Sequence, residues 1–155
     1  MSSVKRKDTS LEVIVRKYLF SKGLRFRKND AKLFGTPDIV LPKYKTAIFV
    51  NGCFWHSHTG CKYSKLPQNN HDFWSRKISA NVLRDTKVDE QLKASGWNVV
   101  RVWGCELSNR TKQEETLTKL LQSPEMLVLY YRLSQLEFVP LPKISVHFES
   151  FTSKT

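Results

Sequence analysis

Apolar residues at Leu11, Ile14, Val15, Tyr18 and Leu19 recur at the i, i+3, i+4, i+7 spacing of an amphipathic helix. In front of them Thr9 and Glu12 form a Thr-x-x-Glu capping box, and Gly23 is a natural stop just past the last turn. Phe26 falls in a short strand. Gly35-Thr36-Pro37 reads as a turn leading into a strand at Asp38-Ile39-Val40-Leu41. Pro42-Lys43-Tyr44-Lys45 is the next turn, and Thr46 to Val50 is a second strand, β-branched and apolar. Helix, strand and hairpin therefore make up the predicted first third.

From Asn51 to Asn70 the periodicity fades, and Cys, His, Gly, Pro and Asn accumulate. A structureless loop of that length in a small domain needs a reason, and function or metal binding is the usual one. A long helix is expected from His71 or Asp72 to Gly96, with Trp74, Ile78, Val82 and Leu92 as apolar positions and Arg76, Lys77, Arg84 and Lys87 between them. Trp97 to Trp103 reads as a buried strand and Thr111 to Leu121 as a further helix. After Pro124 the apolar content stays high without a clear pattern. The chain shows no internal repeat and no low-complexity tract.

A length of 155 residues suits one compact domain, 1–155, with a single core. Apolar residues are 40% of the chain and aromatics 12%, too much for a disordered polycation. No apolar run approaches the roughly 18 residues needed to cross a bilayer. Met1-Ser2-Ser3-Val4-Lys5-Arg6-Lys7 runs into a charged helical stretch and does not read as a signal peptide. A secreted or integral membrane protein is not expected. Lys and Arg number 26 against 14 Asp and Glu, a formal charge of +12. An excess of this size favours a polyanionic partner, because each neutralised phosphate releases condensed counterions. Three Cys, an odd number, point away from disulfides and leave thiols free for metal or core.

Cys53, His58, Cys61 and Cys105 form a candidate set of four ligands. Zinc takes four N and S donors in a tetrahedron, and a closed set of four makes a structural site. Such an ion would tie the loop to the end of the Trp97–Trp103 strand. The alternative is small buried cysteines beside a solvated histidine. His56 competes with His58 for the ligand role, and spacing alone does not decide between them.

At Phe49-Val50-Asn51-Gly52-Cys53-Phe54-Trp55-His56-Ser57-His58 the chain resembles the very-short-patch-repair (Vsr) endonucleases. The resemblance takes in Lys7-Asp8-Thr9 with Glu12, Gly35-Thr36-Pro37-Asp38, Cys61, Phe73-Trp74, Asn81 with Arg84-Asp85, Gly96-Trp97, Trp103 and Cys105, roughly positions 5 to 107. It implies an α/β, restriction-endonuclease-like fold, a central mixed sheet flanked by helices, with a structural zinc on Cys53, His58, Cys61 and Cys105. The implied activity is nicking of double-stranded DNA 5′ to the thymine of a T:G mismatch, of the kind left when 5-methylcytosine deaminates. A functional link to a cytosine-5 DNA methyltransferase, a monomeric state and a place in the bacterial cytoplasm follow from the same likeness.

Residue chemistry can be set beside this. Phosphodiester hydrolysis needs a metal to neutralise the scissile phosphate and a base to deprotonate water. Magnesium wants hard oxygen ligands, which Asp38 offers as a carboxylate. By the family pattern the main-chain carbonyl of Val50 supplies another. His56, released from the zinc set, is the expected general base, and Glu12 matches a family position linked to the active site. Phe54, Trp55 and Trp74 match residues that wedge into the duplex beside the mismatch, where unstacking is least costly. Lys5, Arg6, Lys7, Arg76, Lys77 and Arg84 are the expected phosphate contacts. Family members often have an additional basic segment before the position of Met1, and Lys5, Arg6 and Lys7 are what remains of it here.

The chain departs from the wider nuclease superfamily, whose Glu-x-Lys on the second strand is replaced by Phe49-Val50-Asn51. Where other Vsr proteins can have Thr and His it has Val50 and Asn51, and a backbone carbonyl survives the first change. Two other readings compete: a related nuclease of different DNA specificity, and a zinc-containing DNA-binding protein without catalysis.

Overall fold

The computed structural model describes residues 8–122. The basic residues Lys5, Arg6 and Lys7 and the stretch beyond Pro124 lie outside the described residues, as do the ends of the expected single domain 1–155.

The first helix, α1, spans Ser10–Ser21 and starts as its capping box requires. Thr9 Oγ1 accepts from Glu12 N at 3.3 Å, and the Glu12 carboxylate accepts from Thr9 N at 3.2 Å. Val15 and Leu19 are fully buried on its inner face. The strands are β1 (Arg27–Lys28), β2 (Ile39–Leu41), β3 (Thr46–Asn51) and β4 (Asn98–Trp103). They form one sheet in the order β1-β2-β3-β4, with β3 and β4 parallel and the other pairs antiparallel. A parallel neighbour needs a crossover rather than a tight turn. Helix α2 (His71–Ala94) lies on that connection, and α3 (Arg110–Leu121) follows β4.

Period-two alternation divides the sheet between two cores. Ile39, Leu41, Ile48 and Val102 pack with Val15 and Leu19 of α1 and Leu117 and Leu120 of α3. Ala47 and Phe49 point the other way, against Leu92 and Val88 of α2. The sheet is thus mixed and flanked by helices on both faces, the restriction-endonuclease-like arrangement that the family resemblance implies.

The elements differ from expectation in detail. Phe26 immediately precedes β1 rather than lying in it, and Trp97 immediately precedes β4. In β4 only Val102 is buried, because β4 has a strand neighbour on one side only among the described residues. Of the apolar positions expected on α2, Ile78 and Leu92 are buried, Trp74 is half-buried and Val82 is exposed. The loop from 52 to 70 contains one short 3-10 turn, Lys62–Ser64.

Gly35, at φ +72°, marks where the turn before Asp38 meets α2. A Cβ there would stand 2.5 Å from Val88 Cγ1, and a valine cannot swing aside as a long flexible chain could. Gly23 has a similar φ of +77° but nothing within 4 Å. Gly35→Ala is therefore expected to lower stability by about 2–3 kcal/mol and Gly23→Ala by about 1 kcal/mol in denaturant titration. Equal losses would show that backbone strain alone, and not the approach of α2, requires glycine at this turn.

Candidate functional site

The same alternation aims the ends of the strands into one cleft. Asp38 precedes Val40 by two residues, and Asn51 and Arg101 continue the α2-facing rows of β3 and β4. With Glu12, Val50, His56 and Asp85 they line an open cleft of about 350 Å³.

Asp38 is held from both ends. Its carbonyl accepts from Asn29 N at 3.3 Å and from Arg16 Nη2 at 3.2 Å. Its Oδ2 accepts from Val50 N at 2.7 Å. In a strand the N–H and C=O of one residue face the same side, so the Val50 carbonyl also faces Asp38, beyond the last β2–β3 pair, Ile39↔Ile48. The Asp38 carboxylate and the Val50 main chain, both lining the cleft, could thus offer hard oxygens to a divalent cation. Burial pushes the Asp38 carboxyl above its ordinary pKa. The Val50 N–H opposes this and the Glu12 charge reinforces it, leaving a net rise.

Glu12 is saturated. Oε1 accepts from Thr9 N and Thr9 Oγ1 at 3.2 and 2.9 Å, and Oε2 accepts from Asp8 N at 3.1 Å and Arg16 Nη2 at 2.6 Å. Arg16, also buried, donates through Nη1 to Asp8 as well. The hydrogen bond from Arg16, with Lys28 nearby, holds the Asp8 carboxyl below the usual carboxylate range.

His56 Nδ1 donates to Asp85 Oδ2, which leaves Nε2 as the free ring nitrogen. Burial raises the Asp85 pKa, but the bond from His56 and the charges of His56, Arg101 and Arg84 outweigh it, and the net shift is downward. Arg101 makes a two-point bond to Asp89 and donates to the Asp85 carbonyl. Asn51 is only 3% exposed, and its Nδ2 has no partner among the described residues.

The end of the sheet builds a second centre. Strands β3 and β4 finish together at the pair Asn51↔Trp103, and Cys53 and Cys105 each stand two residues further on. Cys105 N donates to Cys53 Sγ at 3.4 Å, and His58 Nδ1 lies 3.3 Å from Cys105 Sγ. One donor atom from each of Cys53, His58, Cys61 and Cys105 lies within 4.8 Å of the others, so the four residues could hold a metal ion. His58 is fixed by stacking on Trp103, with centroids 4.1 Å apart and planes 2° apart. Without a cation, burial and the adjacent Cys53 and Cys61 thiols push Cys105 up to about 12. A metal would relieve that crowding by stabilising thiolates. His56 lies outside the cluster.

Phe54, Trp55 and Trp74 meet edge to face with centroids 5.2 to 5.8 Å apart, and Phe73 joins Trp74 at 5.2 Å. Asn81 Nδ2 anchors the loop by donating to the Trp55 carbonyl at 2.9 Å. Lys77 Nζ lies 5.6 Å from the rings of Trp55, Phe73 and Trp74, so this expected phosphate contact also caps the aromatic cluster. Arg76 and Arg84 are exposed, and Arg84 reaches the cleft rim.

Asp85, Arg16 and Arg101 escape the sequence reading as site residues. Asp85 lay in the matched Arg84-Asp85 pair without a role. The signals were present: an arginine inside the apolar run Val99-Val100-Arg101-Val102, and Glu12 with Arg16 at helical i,i+4 spacing.

The model of the family described as DNA mismatch endonuclease Vsr matches residues 1–62. A type II nicking enzyme of Neisseria meningitidis serogroup A is 46% identical over 79% of this chain and 86% of its own length. One of Xanthomonas oryzae pv. oryzae is 46% identical over 78% of this chain and 88% of its own. The DNA mismatch endonuclease Vsr of Escherichia coli is 41% identical over 79% of this chain and 78% of its own. With this likeness running over most of each protein's length, the chain belongs to the Vsr family of DNA mismatch endonucleases.

Proposed function

We propose that the chain is a magnesium-dependent endonuclease that nicks duplex DNA 5′ to the thymine of a T:G mismatch and so starts very short patch repair. The observation that carries the reading is the meeting of Asp38, Val50 and the His56–Asp85 pair in one cleft. A non-catalytic DNA-binding protein would have no need of that set.

Asp38 and the Val50 carbonyl are the groups that would hold magnesium. Bound there, it supplies a Lewis acid that neutralises charge on the scissile phosphate. His56 presents Nε2 to the attacking water and takes its proton, while Asp85 fixes the ring's tautomer and orientation. Glu12, with every oxygen occupied, acts as an anion beside Asp38 and as the cap of α1 rather than as a proton carrier. Phe54, Trp55 and Trp74 wedge between base steps where mispairing lowers the unstacking cost. Arg76, Lys77 and Arg84, with Lys5, Arg6 and Lys7, contact phosphates. Zinc on Cys53, His58, Cys61 and Cys105 is structural, since four protein ligands leave no open position. The protein acts as a monomer in the cytoplasm, on lesions produced at the sites of a cytosine-5 methyltransferase.

The metal centre should yield one zinc per chain in elemental analysis. Cys105→Ala and His58→Ala should lose it and several kcal/mol of stability, whereas His56→Ala should keep both. Zinc lost from His56→Ala and kept in His58→Ala would reverse the two histidines.

Asp38→Asn should abolish nicking yet raise the unfolding midpoint at neutral pH in magnesium-free buffer by the equivalent of about 0.5–1 kcal/mol. The raised pKa means that the charged carboxylate is the form the fold disfavours. His56→Ala should lower turnover by about 10²–10⁴-fold with duplex binding intact. A stability loss in Asp38→Asn would mean that the Val50 contact outweighs the charge penalty.

Trp55→Ala should reduce the preference for T:G over T:A duplexes in a nicking assay. The salt dependence of binding, set by phosphate contacts, should stay the same. An unchanged ratio would remove the wedge from the reading, and equal nicking of both duplexes by the wild type would favour a nuclease of other specificity.

A further inference from the structure

Arg101 is a charged residue inside the apolar run Val99-Val100-Arg101-Val102-Trp103 of β4, with its side chain 17% exposed. A cation so placed is costly unless its donors are matched. Here they are matched by two residues one turn apart on α2. Nε donates to Asp89 Oδ2 at 3.2 Å and Nη2 to Asp89 Oδ1 at 2.6 Å, the fork geometry in which a guanidinium is best held. Nη2 also donates to the Asp85 carbonyl at 3.2 Å, and Nη1 lies 3.9 Å from Asp85 Oδ2. The guanidinium carbon sits 4.9 Å from the centre of the Phe49 ring, on the neighbouring strand at the paired register position. The head group is therefore fixed by the sheet below and by Asp89 beside it. Through those anchors it holds both the backbone and the charge of Asp85.

Asp85 in turn holds His56 through Nδ1. We propose that Arg101, seated on Asp89, is a positioning residue for the reaction: it sets the Asp85 carboxylate and thereby the direction of His56 Nε2. The proposal rests on the reading of His56 as the base. Arg101 does not touch the reacting atoms in this scheme, and its effect passes wholly through Asp85.

The test is steady-state and single-turnover nicking of a T:G duplex by Arg101→Met, which keeps the apolar stem, and Arg101→Lys, which keeps the charge but not the fork. Arg101→Met is expected to lower kcat by about 10- to 100-fold, the range of lost support to an oriented group, with KM within about threefold of wild type. Arg101→Lys should recover part of that loss. Combined with His56→Ala, Arg101→Met should add less than about threefold, because the group it serves is gone. If Arg101→Met does not fold, Arg101→Lys alone and with His56→Ala carries the same comparison. The clamp is overturned by a folded variant with kcat within about twofold of wild type. A loss confined to KM, or one that multiplies undiminished on the His56→Ala background, overturns it equally. A wild-type protein inactive on every duplex would overturn the reading of the cleft as well, so the two failures are distinguishable.

Discussion

Everything functional hangs on the parallel pairing of β3 with β4, in register from Thr46↔Asn98 to Asn51↔Trp103. Parallel strands end at the same edge of the sheet. The two chain segments leaving that edge therefore begin as neighbours, although 52 residues separate Cys53 from Cys105. One pairing thus brings two thiols together without any local motif. It also requires a crossover, and the helix on that crossover carries Asp85, Val88 and Asp89 across the face where Phe49, Asn51 and Arg101 point. The cleft and the Cys/His cluster are two consequences of one register.

The second organising feature is a chain of charges around the buried Arg16 and Glu12 at the start of α1. Arg16 joins Asp8, Glu12 and the Asp38 carbonyl, so the helix cap and the cleft carboxylate share one cation. The cleft itself is not optimised for the empty fold. Asp38 is held above its ordinary pKa by burial and by Glu12, and Asn51 Nδ2 lacks a partner among the described residues. A carboxylate held against its charge beside an unmatched buried amide is what a site prepared for a charged ligand requires.

Much of this was legible in the sequence because the local signals agree with the tertiary ones. The capping box at Thr9 and Glu12, the Gly35-Thr36-Pro37 turn and the apolar run of β3 each specify their element with nearest-neighbour chemistry alone. The four metal donors could be named from residue type, and the choice between His56 and His58 followed from the family likeness; the fold places His58 in the cluster and His56 in the cleft. What stayed hidden depends on strand register and helix phase. Asp85 and Arg101 are 16 residues apart, and nothing in the residues around either one names the other as its partner. Only the stacking of α2 on β4 turns an ordinary surface aspartate and an odd arginine into partners. Glu12 was ambiguous for another reason: a capping residue and a cleft residue carry the same letter, and its saturation appears only when Arg16 and Asp8 are placed.

The thiol cluster also has a redox side. With donor atoms of Cys53, Cys61 and Cys105 within 4.8 Å of one another, the loop can be fastened to the end of β4 by an ion or, if oxidised, by a sulfur–sulfur bond. The two fastenings exclude each other, because a disulfide consumes two thiolate donors and leaves one cysteine and one histidine, too few to close a tetrahedron. A bond that includes Cys105 would leave the loop tethered but lift any ion's hold on His58, two positions from His56. A metal held there would guard the thiols, and preparations stripped by chelators in air would divide into a recoverable reduced form and a cross-linked form that added metal does not rescue until a reductant is supplied.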